Sequence, residues 1–146
     1  MTTYGNYPDL TSVKKILVIK LRHHGDVLLS SPVFTNLKKS LPEAQVDAFI
    51  YKDTLPMLEG HEAISDFFLY DRAWKKLSFF GKLKEELALF RKIRKNNYDL
   101  VINLTEGDRG ALAALFSGAK LRVGIDPEKE WIFRKKTHLH SSCKKL

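Results

Sequence analysis

Residues 14–26, KKILVIKLRHHGD, decide how this chain is read. KILVIKL at 15–21 is a nearly unbroken aliphatic run, as expected of a central strand covered on both faces. It passes straight into a short polar loop ending in Gly25-Asp26, and a helical pattern follows at once. In an open α/β sheet, ligands bind beyond the carboxyl ends of the strands. The loop at 22–26 is therefore the first place to look for function.

Outward from that loop, Val33, Phe34, Leu37 and Leu41 are spaced for a helix. Pro32 requires that helix either to start near Ser30 or to bend there. A second strand is expected at 45–50, after the turn around Pro42, and a short helix at 53–59, stopped by Gly60. A third strand at 67–70 leads to the longest helical pattern, 79–96, with Leu83, Leu87, Phe90 and Ile93 on one face and Lys/Arg on the other. A fourth strand at 100–104, a helix at 109–117 capped by Gly118 and a fifth strand at 120–124 complete the pattern. Strands alternating with helices predict an α/β fold, a doubly wound parallel sheet.

The expected organisation is an extension at 1–13, one domain at 14–125 and an irregular basic tail at 126–146. Apart from Trp131-Ile132-Phe133, the tail has too few periodic apolar residues for another element, and the pattern stops as if cut. A chain of 146 residues with 44% hydrophobic content suffices for one cored domain. No apolar run reaches the roughly 18 residues of a membrane span. Residues 1–12 lack the basic start and apolar segment of a signal peptide. The single Cys143 excludes an internal disulfide framework and fits a reducing compartment, so a cytoplasmic location is expected.

Charge is uneven. Through Asp71 there are 7 Lys/Arg against 9 Asp/Glu; from Arg72 onward there are 18 against 8. The basic second half suggests either an anionic partner or a solvated basic face.

The motifs narrow the chemistry. G-x-G-x-x-G is absent and only Gly25 lies in the first loop, so neither a dinucleotide cradle nor a P-loop is supported and no cofactor is implied. His23 and His24 are adjacent, so their side chains diverge, and no further ligands stand at metal-site spacing. His138 and His140 read as tail residues. Asp26 has two readings: an ordinary helix N-cap, or a carboxylate kept ionised by the helix dipole and free N–H groups that accepts a proton from a hydroxyl nucleophile.

The stretch KILVIKLRHHGDVLLSSPVFTNLKKSLPEAQVDAFI resembles the opening of the ADP-heptose:lipopolysaccharide heptosyltransferases of glycosyltransferase family 9. The shared features are Gly25-Asp26, the aliphatic Val27-Leu28-Leu29, Pro32, the basic pair Lys38-Lys39 and Pro42, in that order. RHHGDVLLSSPVF and the later INLTEGDRGA are most similar to the heptosyltransferase III branch, and the similarity runs over about 14–124. The resemblance implies a Rossmann-like N-terminal domain of a GT-B glycosyltransferase, inverting and without a metal. On that reading the lipopolysaccharide inner-core acceptor binds to this half and the ADP-heptose donor mostly to a C-terminal half that is missing here. Asp26 stands at the position of the catalytic base, and the chain alone is expected to be inactive.

Arg22, His23, His24 and Gly25 share the loop of Asp26, and Asn103, Thr105, Glu106, Asp108 and Arg109 follow strand four on the same edge of the sheet. Of these, Arg22, His23, His24, Gly25, Thr105, Glu106 and Arg109 are expected to meet the hydroxyls and phosphates of the acceptor. Arg22 and Arg109 read either as clamps for acidic sugars and phosphate or as surface charges with local partners. The stretch 72–84, RAWKKLSFFGKLK, suits a peripheral contact with the anionic inner membrane. Equally, Trp74, Phe79 and Phe80 could seal the core with lysines outward. The rival to the enzyme reading is a non-catalytic basic α/β module for nucleic acid or an anionic surface; no nucleic-acid signature supports the former.

Overall fold

The computed structural model describes residues 9–124. The tail at 126–146, with Trp131, His138, His140 and Cys143, lies outside the described residues, as does most of the 1–13 extension. Five parallel strands form one sheet: β1 (Lys15–Lys20), β2 (Gln45–Tyr51), β3 (Phe67–Tyr70), β4 (Leu100–Asn103) and β5 (Leu121–Gly124), in the order β3-β2-β1-β4-β5. This is the doubly wound sheet that the alternating pattern predicts.

The helices are α1 (His24–Leu29), α2 (Ser31–Ser40), α3 (Phe79–Lys95) and α4 (Asp108–Phe116), with 3-10 turns at Lys52–Met57 and Arg72–Lys76. Side-chain alternation along β1 divides the core. Ile16 and Val18 join Val27, Phe34, Val46, Ala48 and Ile50 on one face of the sheet. Leu17 and Ile19 join Phe49, Leu89, Phe90, Ile93, Ala113 and Ala114 on the other. The chain thus covers one face with α1 and α2 and the opposite face with α3 and α4.

Several boundaries differ from the sequence reading. Helix α1 starts at His24, ahead of Val27, because His23 is extended and its carbonyl accepts the Val27 N–H at 3.0 Å, closing the first turn. Asp26 is therefore inside that first turn, and the cap position belongs to His23. The expected break at Pro32 is real: α1 ends at Leu29, and Pro32 lies in the first turn of α2, where a missing N–H costs nothing. The segment after β2 is a 3-10 turn with Pro56 inside it. Arg72–Lys76 forms a second 3-10 turn opened by Asp71, whose carboxylate accepts the Ala73 N–H.

Helix α3 is oriented differently from its predicted face. Leu89, Phe90 and Ile93 are buried, whereas Leu83 and Leu87 are exposed. The Tyr70 hydroxyl donates to Glu86 on the same side of the helix as the buried residues. Trp74 packs against the core, its ring 4.9 Å from that of Tyr70. Phe79 and Phe80, one of the two readings of which had them sealing the core, are 74% and 80% exposed.

Candidate functional site

The strand order reverses between β1 and β4. The connection after β1 goes to one face and the one after β4 to the other, the arrangement that in doubly wound sheets leaves a crevice at the carboxyl ends of the two strands. Residues 21–26 form one lip and 104–109 the other. Thr105 holds the lips together: it is 6% exposed, its hydroxyl accepts the Leu21 N–H at 2.7 Å and donates to the Ile19 carbonyl at 3.4 Å. Its own N–H donates to the side chain of Asn103 at 3.0 Å. Thr105, expected to meet substrate, thus spends its hydroxyl inside the fold.

Helix α4 begins from Gly107, whose φ of 104° is open to glycine but strained for other residues. Asp108 is the first residue of this helix. One turn on, Gly110 packs so closely on strand β4 that a Cβ there would lie 2.5 Å from Asn103 Oδ1. This close approach brings Arg109 over the sheet edge.

Across the crevice, Arg22 Nη2 meets Glu106 Oε2 at 3.1 Å. His24 Nε2 lies 3.0 Å from the Asp53 carbonyl, so that nitrogen carries the proton and donates, tying the first loop to the turn after β2. Lys52 pairs with Asp71 at 3.2 Å and Arg72 with Asp53 at 3.2 Å. Asp26 stands apart. It is half-buried beside Gly25, and no hydrogen bond or ion pair occupies its carboxylate among the described residues. Gly25 has nothing within 4 Å of where a Cβ would stand, so the backbone beside Asp26 is bare.

A second constellation escaped the sequence reading. Tyr51 and Tyr70 end adjacent strands in register, and their rings meet edge to face at 5.9 Å. Arg72 lies 4.1 Å over the Tyr51 ring, and Arg109 lies 4.6 Å over Tyr70 while donating to the Tyr51 hydroxyl at 3.1 Å. The two guanidinium groups are held on aromatic faces at one edge. Burial and the bond to Glu86 push the Tyr70 hydroxyl above the usual phenol range, so it stays protonated. The available signal was two strands each ending in tyrosine; their adjacency depends on strand order, which spacing alone leaves open.

Two hollows lie away from this edge. One, about 230 Å³, includes Arg94, Tyr98, Asp99 and Lys120 at the opposite end of the sheet. The other, about 490 Å³, lies along α2 and includes Thr35, Lys38, His61 and Glu62. There His61 Nδ1 accepts the Ala63 N–H at 3.2 Å, so Nε2 donates to Ser31 Oγ at 3.0 Å. That polarity is the reverse of a serine activated by a base. Glu62 in the second hollow also lacks a partner among the described residues, but it is exposed, whereas Asp26 is half-buried. Among the described residues, no three His, Cys, Asp or Glu side chains gather to hold a metal ion, and no helix is long and apolar enough to cross a membrane.

Comparison with known proteins gives a consistent result. No family model matches the chain. Lipopolysaccharide heptosyltransferase 3 of Escherichia coli K12 is 40% identical over 103 residues, 70% of this chain and 29% of that protein. A second Escherichia coli lipopolysaccharide heptosyltransferase 3 is 33% identical over 121 residues, 82% of this chain and 35% of that protein. Among solved structures, a glycosyl transferase family 9 protein from Veillonella parvula superposes with a TM-score of 0.67 at 25% identity, over 77% of this chain and 31% of that one. The chain spans about a third of the length of the curated relatives it matches.

Proposed function

We propose, from the premise that this chain corresponds to part of a lipopolysaccharide heptosyltransferase of glycosyltransferase family 9, that it is the acceptor-binding and base-supplying portion of that enzyme. The observation that carries the proposal is the half-buried, unpartnered carboxylate of Asp26, beside bare backbone at the point where the strand order reverses. Neighbouring charges at this edge are already satisfied in pairs: Arg22 with Glu106, Arg72 with Asp53, Lys52 with Asp71. Asp108 also lacks a partner, but it is exposed at the start of α4.

The reaction is a direct displacement. An acceptor hydroxyl of the inner core donates its proton to Asp26 as its oxygen bonds to the anomeric carbon of ADP-heptose. The bond from that carbon to the diphosphate breaks, ADP leaves with the electron pair, and configuration inverts. No metal ion is assigned to this step. The residues that hold ADP belong to the remainder of a full-length enzyme, so the domain at 14–125 is expected to bind acceptor without turning over donor. Thr105 and Gly110 keep the two lips in register, and Gly25 lets the acceptor approach the backbone. Arg109 and Arg22, with His23, meet the acidic sugars and phosphates of the acceptor, His24 bracing the loop behind them.

The test is a backbone NMR titration of this chain with an inner-core oligosaccharide and, separately, with ADP-heptose. Shifts centred on residues 22–27 with the oligosaccharide, and little response to the nucleotide sugar, are expected. A response at this loop to the nucleotide alone, or silence toward the oligosaccharide, overturns the assignment.

A further inference from the structure

Helix α3 carries two apolar stripes, and the fold uses only one. Leu89, Phe90 and Ile93 enter the core. Phe80, Leu83 and Leu87 recur at helical spacing along a different side and remain exposed, with Phe79 and Leu77 beside them. Phe79 and Phe80 touch each other edge to face at 5.7 Å and little else, and exposures of 74% and 80% mean that they protrude from the first turn of the helix.

The charges around this patch have one sign. Lys75 and Lys76 close the 3-10 turn just before it, and Lys84 and Arg91 border it along the helix, all four exposed. Helical geometry turns Glu85 about half a turn away from both Leu83 and Leu87. Glu86 is drawn toward Tyr70. A protruding aromatic pair ringed by lysine is suited to a soft anionic surface, in which rings enter the headgroup layer while ammonium groups meet lipid phosphates. A protein partner would instead need a cavity shaped to two projecting rings.

We infer that Phe79, Phe80, Leu83 and Leu87, with Lys75, Lys76 and Lys84, form a docking surface for an anionic lipid bilayer. The surface begins where β3 ends, on the same carboxyl edge of the sheet as the crevice: Arg72, which opens this segment, donates to the Arg22 carbonyl at 3.4 Å. A bilayer bound there would lie beside the crevice lips. The inference rests on the patch alone and does not depend on the reaction assigned to Asp26.

The experiment is co-sedimentation of the whole chain with vesicles of phosphatidylcholine, alone and mixed with phosphatidylglycerol. Binding to the mixed vesicles only is expected. Phe79→Ser combined with Phe80→Ser should weaken it about tenfold or more, since two rings lose their apolar burial. Phe80→Trp should retain it. Leu29→Ser removes a side chain of similar exposure, 79%, from α1 and should change nothing. Both positions are exposed, so the variants keep the fold, which circular dichroism checks. Undiminished binding by the double variant places the affinity elsewhere in the basic surface and overturns the inference. So does equal loss in Leu29→Ser, or a double variant that abolishes self-association of a chain that never bound vesicles.

Discussion

Arg22 and Glu106 close the crevice with an ion pair of 3.1 Å that joins the loop after β1 to the loop after β4. Both side chains are largely in water, so the pair contributes on the order of 0.5 kcal/mol or less to stability. Its effect is on charge: the carboxylate of Glu106 occupies the guanidinium that an acidic acceptor would need. Glu106→Gln is expected to leave the unfolding midpoint nearly unchanged and to tighten binding of a phosphorylated inner-core oligosaccharide by severalfold. Arg22→Ala should weaken it. Calorimetric titration of both variants decides the matter, and weaker binding by Glu106→Gln would make Glu106 a direct sugar ligand instead.

Gly25 has open space where a side chain would be and needs no unusual backbone conformation. Gly25→Ala should therefore hold or raise stability, by up to about 1 kcal/mol from helix propensity. If the acceptor approaches the bare backbone, the same methyl lowers acceptor affinity. Denaturation and NMR titration of one variant give both answers, and unchanged affinity would remove Gly25 from the site.

Gly110 faces the opposite situation. A methyl group 2.5 Å from Asn103 Oδ1 must displace an amide that accepts the Thr105 N–H. Gly110→Ala is expected to destabilise the fold by about 1–3 kcal/mol, the usual cost of overpacking. Loss of the tight coupling between Thr105 and Leu21 should appear as faster amide exchange at Leu21. A variant as stable as the parent would show that the helix and strand slide apart freely.

Asp47 is fully buried in β2, held by the Tyr98 hydroxyl and by Gln45 Nε2 at 3.1 and 2.9 Å. Burial raises its carboxyl above the ordinary 3.8, and the bonds from Tyr98 and Gln45 offset that only in part. The folded state therefore binds this proton more readily than the unfolded chain does. Ionised Asp47 costs stability at neutral pH, and the cost is relieved as pH falls through the raised value toward 3.8. Asp71 has the opposite sign, its carboxyl lowered by the Ala73 N–H, so its loss begins only further into acid. Asp47→Asn should flatten the mildly acidic part of the stability profile, measured by urea midpoints across pH. An identical slope in the variant would place the titration elsewhere.

Arg109 joins two tyrosines by different contacts, a hydrogen bond to Tyr51 and a stack on Tyr70. An ammonium group lacks the flat face for the second contact. Arg109→Lys should keep net charge yet lower affinity for the acidic oligosaccharide about tenfold, the scale of one lost charge-assisted bond. Equal affinity would mean that charge alone matters at this position.

The strands were legible because each is a short aliphatic or aromatic run bounded by turn residues, and 67–70 is recovered residue for residue. The Gly25-Asp26 loop was legible as a location for the same reason: the run before it ends abruptly. The start of α1 was not, because His23 takes the cap position without a side-chain hydrogen bond, leaving no compositional trace. The orientation of α3 was ambiguous in principle, since two of its sides are apolar; the side carrying Leu89, Phe90 and Ile93 is the one that enters the core, with the Tyr70 to Glu86 bond beside it. The Tyr51, Tyr70, Arg72 and Arg109 group is a product of strand order, and no local pattern announces it.

The reversal of strand order also sets a timetable for synthesis. β1 finds β2 after about thirty residues, Lys15 against Gln45, but its other edge waits for β4, Ile16 against Leu100. The bond between Leu21 and Thr105 joins positions 84 apart. A ribosome would have nearly the whole domain to deliver while an aliphatic strand edge stood open, the kind of edge that recruits other chains. The first residues with a recognisable purpose are thus among the last to be assembled, and a chain interrupted shortly before residue 100 would be sticky and without a crevice.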